Sequence, residues 1–439
     1  MKKQALFVLV LSSLLLSACN NPVASSESNR SEPSNSEEQS SSQSSEPSKE
    51  STLTSQSQQS SQSSQSSQSS QSSSGSETGI EDLGVKETHT ALMKQYLEDP
   101  DWTSIKTYVP KVNAEDRSYH NDQSQPNPVE LKFNEVSTAS KYYVQIAKNA
   151  QFIDAKLVES TTKTYNFYNS ELGQEYYYRA AVSQEALAQA KVYKFKVNDA
   201  APRFIHVDGV INFRDQGGCK SSLVPNGVIK QGLYYRCAQF NNGSTKNITA
   251  DGLKAIQELG IKVDIDMRDS SAVPTASPLK TNDYDVNLVK ASVPSGSESD
   301  RWEGSTGTWN RVTCDIAAQY KIIFETIAQA DEKPIALHCT HGADRTGIVS
   351  FFLMGLLGAS EEDIGRDYVM TRFAGERAVL PTGSSSEIAK WFTKTNALAG
   401  ATFADKTYKH LKDDFGISAD TLETIREKFV PGYTRPAGN

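Results

Sequence analysis

Hydrophobic positions divide the chain into stretches of different character. After Lys2 and Lys3 an apolar run, interrupted only by Ser12 and Ser13, covers residues 5–16, too short to span a bilayer comfortably as a permanent helix. Residues 22–77 hold almost no apolar positions, being Ser, Gln, Glu and Pro, with Ser-Ser-Gln repeating from Ser60 to Ser73. Nothing there can offset the entropy of ordering, so a flexible coil is predicted. A tract of about 55 residues spans on the order of 40 Å r.m.s.. The stretch from Thr90 to Leu97 has a helical stripe; the rest of 80–124 gives no readable pattern. From Pro126, short alternating runs rich in β-branched and aromatic residues follow at 129–133, 142–146, 164–167, 176–182 and 192–197. Their turn-like breaks predict an antiparallel β sandwich over 125–199. Beyond residue 203 the pattern changes again. Thr249 and Gly260 bracket a capped helix, residues 261–267 read as a strand, 335–337 as a buried strand, and 348–357 as part of a buried helix. This mixture predicts an α/β unit with a mostly parallel sheet flanked by helices.

Composition adds limits. With 439 residues there is room for two or three domains. The net charge of −8 offers no overall basic field to draw nucleic acid or anionic lipid. Five cysteines (Cys19, Cys219, Cys237, Cys314, Cys339) and six histidines show neither a disulfide framework nor zinc-ligand spacing, so a metal site is not expected, carboxylate-only sites staying open, and no organic cofactor is implied. The N-terminal run follows a positive n-region and ends in Leu16-Ser17-Ala18-Cys19, which resembles the bacterial lipobox. The resemblance implies cleavage after residue 18, lipid on Cys19, and a tether over 19–79 at the outer face of a bacterial cell membrane. An ordinary secretory peptide with an incidental Cys19 is the alternative.

The chemistry is concentrated in Leu337-His338-Cys339-Thr340-His341-Gly342-Ala343-Asp344-Arg345-Thr346-Gly347. The segment sits between the buried strand and the buried helix, where amides at a helix N-terminus make an anion site. Gly342 permits backbone geometry closed to other residues. A phosphate monoester needs a nucleophile ionised at neutral pH. A cysteine, with a thiol pKa ordinarily near 8.5, becomes one beside a helix N-terminus and an arginine. Arg345 can grip two phosphoryl oxygens, and the amides of residues 340–345 the rest. The Thr346 hydroxyl can bond the Cys339 thiolate, and His338 can orient the loop.

This is the His-Cys-x5-Arg-Thr signature, and the segment resembles the protein tyrosine phosphatase superfamily. Asn212-Phe213-Arg214-Asp215-Gln216-Gly217-Gly218 is similar to the Asn-x-Arg-Asp-x-Gly-Gly motif of a bacterial subfamily. So are Gly232-Leu233-Tyr234-Tyr235-Arg236-Cys237, with Cys237 where Ser is usual, the strand ending in Arg268, and the closing stretch Phe415-Gly416-Ile417-Ser418 to Arg426. The resemblance covers 203–431 and implies a phosphocysteine mechanism on phosphorylated protein. Some relatives carry Lys where this chain has Ala343, which tilts the substrate toward phosphotyrosine and away from phosphoinositides; His341 could partly substitute. Relatives also often carry Glu shortly after the strand, where this chain reads Asp269-Ser270-Ser271. Upstream, Glu171-Leu172-Gly173-Gln174-Glu175-Tyr176-Tyr177-Tyr178-Arg179 resembles the E–F corner of a fibronectin type III domain, a module that would bind a glycan or protein or serve as a spacer.

Other roles stay open at this level. Asp344 is the favoured general acid, being inside the motif, ahead of Asp266, Asp269, Asp300 and Asp315. Its alternative is structural, bonding loop amides or Arg214. Arg214 and Asp215 either brace the loop from the neighbouring strand or form a plain ion pair. Arg268 contacts substrate or lies at the surface, and Arg372 is a further candidate on the helix after the loop. Cys219 or Cys314 could form a resolving disulfide with Cys339. Rival readings are a phosphoinositide or inositol phosphate phosphatase, and a surface adhesin with a degenerate phosphatase domain.

Overall fold

The computed structural model describes residues 79–100, 102, 123–134, 136, 138–241, 247–293, 316–374 and 386–437. The apolar run, Cys19, the Ser/Gln tract, Asp300, Cys314 and Asp315 lie outside the described residues.

Alternation builds the first sheets. In β2 (Val129–Lys132) and β3 (Tyr142–Ala147) buried side chains alternate with more exposed ones, as a sheet with one face on a core requires. Together with β1 (Glu81–Lys86), β4 (Lys156–Ser160), β5 (Thr164–Phe167), β6 (Glu175–Ala181) and β7 (Tyr193–Val197) they form two sheets. One has the order β1-β7-β6-β3-β4 and the other pairs β2 with β5. A shared core of Val129, Leu131, Val144, Tyr178, Phe195 and Val197 lies within them. The Tyr176 hydroxyl accepts from the Glu171 amide at 2.9 Å, pinning the corner at which the sequence places a Leu-Gly turn.

The described part of the stretch before residue 100, of which only the helical stripe from Thr90 to Leu97 is legible in the sequence, divides between two cores. β1 pairs in parallel with β7 as an edge strand. Its pattern, Glu-Asp-Leu-Gly-Val-Lys with most positions exposed, carries no period-2 signal because an edge strand is fixed by backbone pairing more than by burial. Helix α1 (Ala91–Leu97), capped by Thr90, instead sends Met93, Tyr96 and Leu97 into the core that contains Ile335 and Leu337.

That second core surrounds a six-stranded sheet of order β14-β13-β15-β12-β9-β8. Its strands are β8 (Arg203–Phe204), β9 (Arg214–Asp215), β12 (Tyr234–Cys237), β13 (Val263–Asp266), β14 (Asn287–Lys290) and β15 (Ile335–His338), with the pair β10 (Lys220–Ser221) and β11 (Gly227–Val228) apart. β12, β13, β14 and β15 run parallel, β9 is antiparallel to β12, and β8 is antiparallel to β9. Central β15 is buried on both faces, which is why Ile335 to Leu337 form an apolar run with no polar alternation. The helices are α2 (Ala250–Glu258), α3 (Ile316–Gln329), α4 (Asp344–Leu356), α5 (Glu361–Met370), α6 (Glu387–Asn396), α7 (Phe403–Asp413) and α8 (Ala419–Phe429). Thr249, Ser360, Ser386, Thr402 and Ser418 cap α2, α5, α6, α7 and α8 with their side chains. Helix α4 differs: Ala343 stands at its N-cap and supplies no side-chain bond. The described residues belong to one compact unit.

Candidate active site

Strand β15 delivers Cys339 to the end of the sheet, and α4 begins only five residues later. The thiol is buried at 3% exposure. Between them, Gly342 adopts φ +65°, and a Cβ there would lie 2.3 Å from the Cys237 carbonyl oxygen. A side chain is thus excluded both by conformation and by the β12 backbone.

The loop's carbonyls all face donors. Cys339 O lies 3.1 Å from His338 Nδ1, and Thr340 O accepts from the Gln239 amide at 3.1 Å. His341 O and Gly342 O accept from Asn212 Nδ2 at 2.9 and 3.2 Å. Gly342 O and Ala343 O accept from Arg236 Nη2 at 2.7 and 3.3 Å. In a planar peptide the following N–H points the opposite way. The amides of Thr340, Gly342 and Ala343 find no acceptor among the described residues. Together with the α4 N-terminus, whose N-cap Ala343 has no side-chain acceptor, they form a cradle of donors.

Arg345, on the first turn of α4, lies with its guanidinium buried against the sheet. Its Nη1 donates to Val293 O at 3.0 Å and Met267 O at 3.3 Å, and its Nη2 to Thr340 Oγ1 at 3.2 Å. Asp269, half-exposed, has Oδ1 3.9 Å from Nη1. Asp344 is the first residue of α4 and half-buried, as is His341. Thr346 Oγ1 is buried with no hydrogen-bond partner among the described residues, so the expected bond to the Cys339 sulfur is not formed here. Behind the nucleophile, His338 Nε2 lies 3.1 Å from Asp264 and 3.8 Å from Asp266. Burial alone would lower the His338 pKa, but the two carboxylates outweigh it and hold it above its ordinary value.

Several expectations are corrected. Arg214 and Asp215 are not partners. Arg214 Nε pairs with Asp367 at 2.7 Å and its other nitrogens reach Asn212, Thr371 and the Asp367 carbonyl. Asp215 turns away from the loop to Arg203 at 2.9 Å and to the amides of Gly217 and Gly232. Adjacent strand residues point to opposite faces, so one motif braces two different places. Asp344 accordingly has no bond from Arg214. Arg268 is neither at the surface nor turned to the cradle: it is 1% exposed and grips Asp266 with its fork. Asp266 is thereby spent. Burial would raise it, but Arg268 and His338 hold it below the ordinary carboxylate range, unsuited to donating a proton at neutral pH. Arg372 sits in a short 3-10 turn after α5, not on the helix following the loop. Burial pushes the Cys219 and Cys237 thiols well up, which leaves Cys219 a poor resolving thiol.

Three participants were missed by sequence reasoning. Asn212 and Arg236 lie inside the quoted motifs but drew no role. Asp367 lies in none; its only trace is a carboxylate on the buried stripe Ile364, Asp367, Tyr368 of α5. Among the described residues no group of three or more His, Cys, Asp or Glu could hold a metal ion.

The chain is similar to a tyrosine-protein phosphatase of Nostoc commune, 26% identical over 199 residues that cover 44% of this chain and 66% of the relative. A Cupriavidus necator protein provisionally named as one is 24% identical over 180 residues, covering 37% and 60%. The chain thus spans less than two thirds of the length of either relative. A solved structure of TpbA from P. aeruginosa in complex with pTyr is 15% identical over 39% of this chain and 91% of that one, with a TM-score of 0.23, too slight a likeness to carry an argument. The profile of the tyrosine phosphatase family matches residues 205–431, more than half of the sequence and every strand of the six-stranded sheet but β8, and the chain belongs to that family.

Proposed function

We propose that the protein is a cysteine-dependent phosphatase that hydrolyses phosphate monoesters, phosphotyrosine foremost, through a phosphocysteine intermediate. The observation that carries this reading is the convergence on one corner of Cys339, the Arg345 guanidinium, and the loop amides beside an uncapped helix N-terminus. In the first step the Cys339 thiolate attacks phosphorus, the ester P–O bond breaks, and its electron pair leaves on oxygen. Asp344 protonates that oxygen. The cradle amides and Arg345 bind the equatorial oxygens, whose charge spreads in the transition state. Water then attacks the phosphocysteine, Asp344 takes its proton, and the S–P bond breaks with Thr346 Oγ1 available to bond the departing thiolate. No metal or organic cofactor enters.

Three further parts belong to the proposal. The lipobox-like Leu16-Ser17-Ala18-Cys19 and the Ser/Gln tract support an exported protein held by lipid on Cys19 at the outer face of a bacterial membrane. The two sheets over 81–197 and the Tyr176–Glu171 corner bond support a fibronectin type III-like module. Ala343, where some relatives have lysine, favours a phosphorylated protein over a phosphoinositide. A rapid-quench experiment with labelled phosphotyrosine peptide tests the mechanism. Label should appear on Cys339 within the first turnover and chase off; a full turnover without labelled cysteine would contradict it.

A further inference from the structure

The cradle works only if its peptides face the right way, and that is decided behind the loop. The carbonyls of residues 341–343 are held by two side chains, Asn212 and Arg236. Both are ordered by one carboxylate. Asp367 Oδ2 accepts from Arg236 Nη1 at 2.5 Å and from Gln216 Nε2 at 2.9 Å, while Oδ1 accepts from Arg214 Nε at 2.7 Å. Arg214 Nη1 in turn donates to Asn212 Oδ1, which leaves Asn212 Nδ2 aimed at the loop. Asp367 therefore reaches the loop by two routes, Arg236 to Gly342 and Ala343, and Arg214 with Asn212 to His341 and Gly342. All three charged groups are at most 2% exposed. Burial, and then Arg236, pull Arg214 down to about 10, so it is still cationic at neutral pH. Burial would raise Asp367, but the two arginines hold it below the ordinary carboxylate range. Two buried cations around one anion leave a net positive charge behind the cradle. Removing the anion would set the guanidiniums against each other and free Arg236 from its one fixed orientation.

Resting on the phosphatase reading, we infer that Asp367 is a positioning residue, which turns the peptides linking residues 341–344 toward a bound phosphate by holding Arg236, and Asn212 through Arg214, against the opposite side of the loop. It touches no substrate. The buried pair Arg203–Asp215, 2.9 Å apart, comes from the same stretch of sequence and faces away from the loop. It provides the comparison that separates positioning from mere stability.

The test uses the full chain carrying Asp367→Asn, Arg236→Lys, both together, or Arg203→Lys. Lysine keeps the charge beside Asp367 but cannot span from it to the Gly342 carbonyl. Direct titration with inorganic phosphate, steady-state kinetics on p-nitrophenyl phosphate and thermal midpoints are read for each. Asp367→Asn and Arg236→Lys should each weaken phosphate binding roughly 10-fold and lower kcat/KM by roughly 10- to 100-fold. The double variant should be no worse than the poorer single one, as expected for groups acting in one chain. Arg203→Lys should lower the midpoint and leave both other readouts unchanged. Wild-type phosphate affinity in Asp367→Asn and Arg236→Lys, with only the midpoint reduced, would overturn the inference; if Asp367→Asn does not fold, Arg236→Lys alone decides. Should the wild type bind phosphate and turn over no ester, the phosphatase reading fails while the titrations still judge Asp367.

Discussion

At the scale of single residues, the account makes its sharpest demands on Asp344, Gly342 and His338. If Asp344 protonates the leaving oxygen, its loss should matter most where that oxygen is basic. Asp344→Ala should slow an alkyl phosphate by roughly 100-fold or more while sparing p-nitrophenyl phosphate, measured as kcat on both; equal losses would remove Asp344 from the role and turn attention to Asp269. At Gly342, alanine would need a positive φ and a Cβ 2.3 Å from backbone of β12. Because β12 is buried core, the loop must move instead, and a shift of about 1 Å costs on the order of 100-fold in rate. Gly342→Ala should therefore lose activity at that scale in a folded protein, checked by kinetics beside circular dichroism. His338 offers a pH test. Its folded pKa is raised by Asp264 and Asp266 against the opposing effect of burial. The stability it contributes is thus fully present below the unfolded value of about 6.5 and is lost as pH rises through the higher folded value. The difference in thermal midpoint between wild type and His338→Gln should be largest in mild acid and shrink with rising pH; a difference growing toward alkaline pH would contradict it.

At the scale of elements, what could be read from the sequence followed how strongly burial constrains each segment. β15 and α4 are buried nearly all round, so their apolar runs announce them, and the chemistry lies in the short polar interval between. Side-chain caps at Thr249 and Ser418 mark helix starts in the same direct way. The missing side-chain cap on α4 becomes meaningful only once the helix is seen to begin at Asp344, directly after the loop. β1 was illegible because its pairing is made by backbone at an edge. The network behind the loop was illegible for another reason. Asn212, Arg214, Arg236 and Asp367 come from three separate elements, and which arginine meets which carboxylate is a fact of tertiary packing. Sequence adjacency suggested Arg214 with Asp215; the pleat of β9 sends them to opposite faces. The same logic corrected Arg268, whose fork closes on Asp266 two residues away.

At the scale of the whole molecule, the two sheets of β1–β7 and the six-stranded sheet are joined by more than a linker. Arg203 donates to the carbonyls of Asn169 and Ser170 while held by Asp215. Gln231 exchanges two hydrogen bonds with the Leu172 backbone, and the Tyr168 and His206 rings stack at 4.2 Å. Such part-buried hydrogen bonds and ring contacts resist the relative motion otherwise expected between modules. Calorimetry on the full chain should show the two cores unfolding in one transition; two well-separated transitions would show that the clasp does not couple them. The central claim rests on one thiol. Phosphate release from a phosphotyrosine peptide, a phosphoserine peptide and a panel of phosphoinositides, with and without EDTA, should be measured for the full chain beside Cys339→Ser. The account predicts turnover fastest on the phosphotyrosine peptide, unchanged by EDTA and abolished in the variant. Turnover that survives Cys339→Ser, or no release from any substrate by a wild type that still binds phosphate, would contradict it.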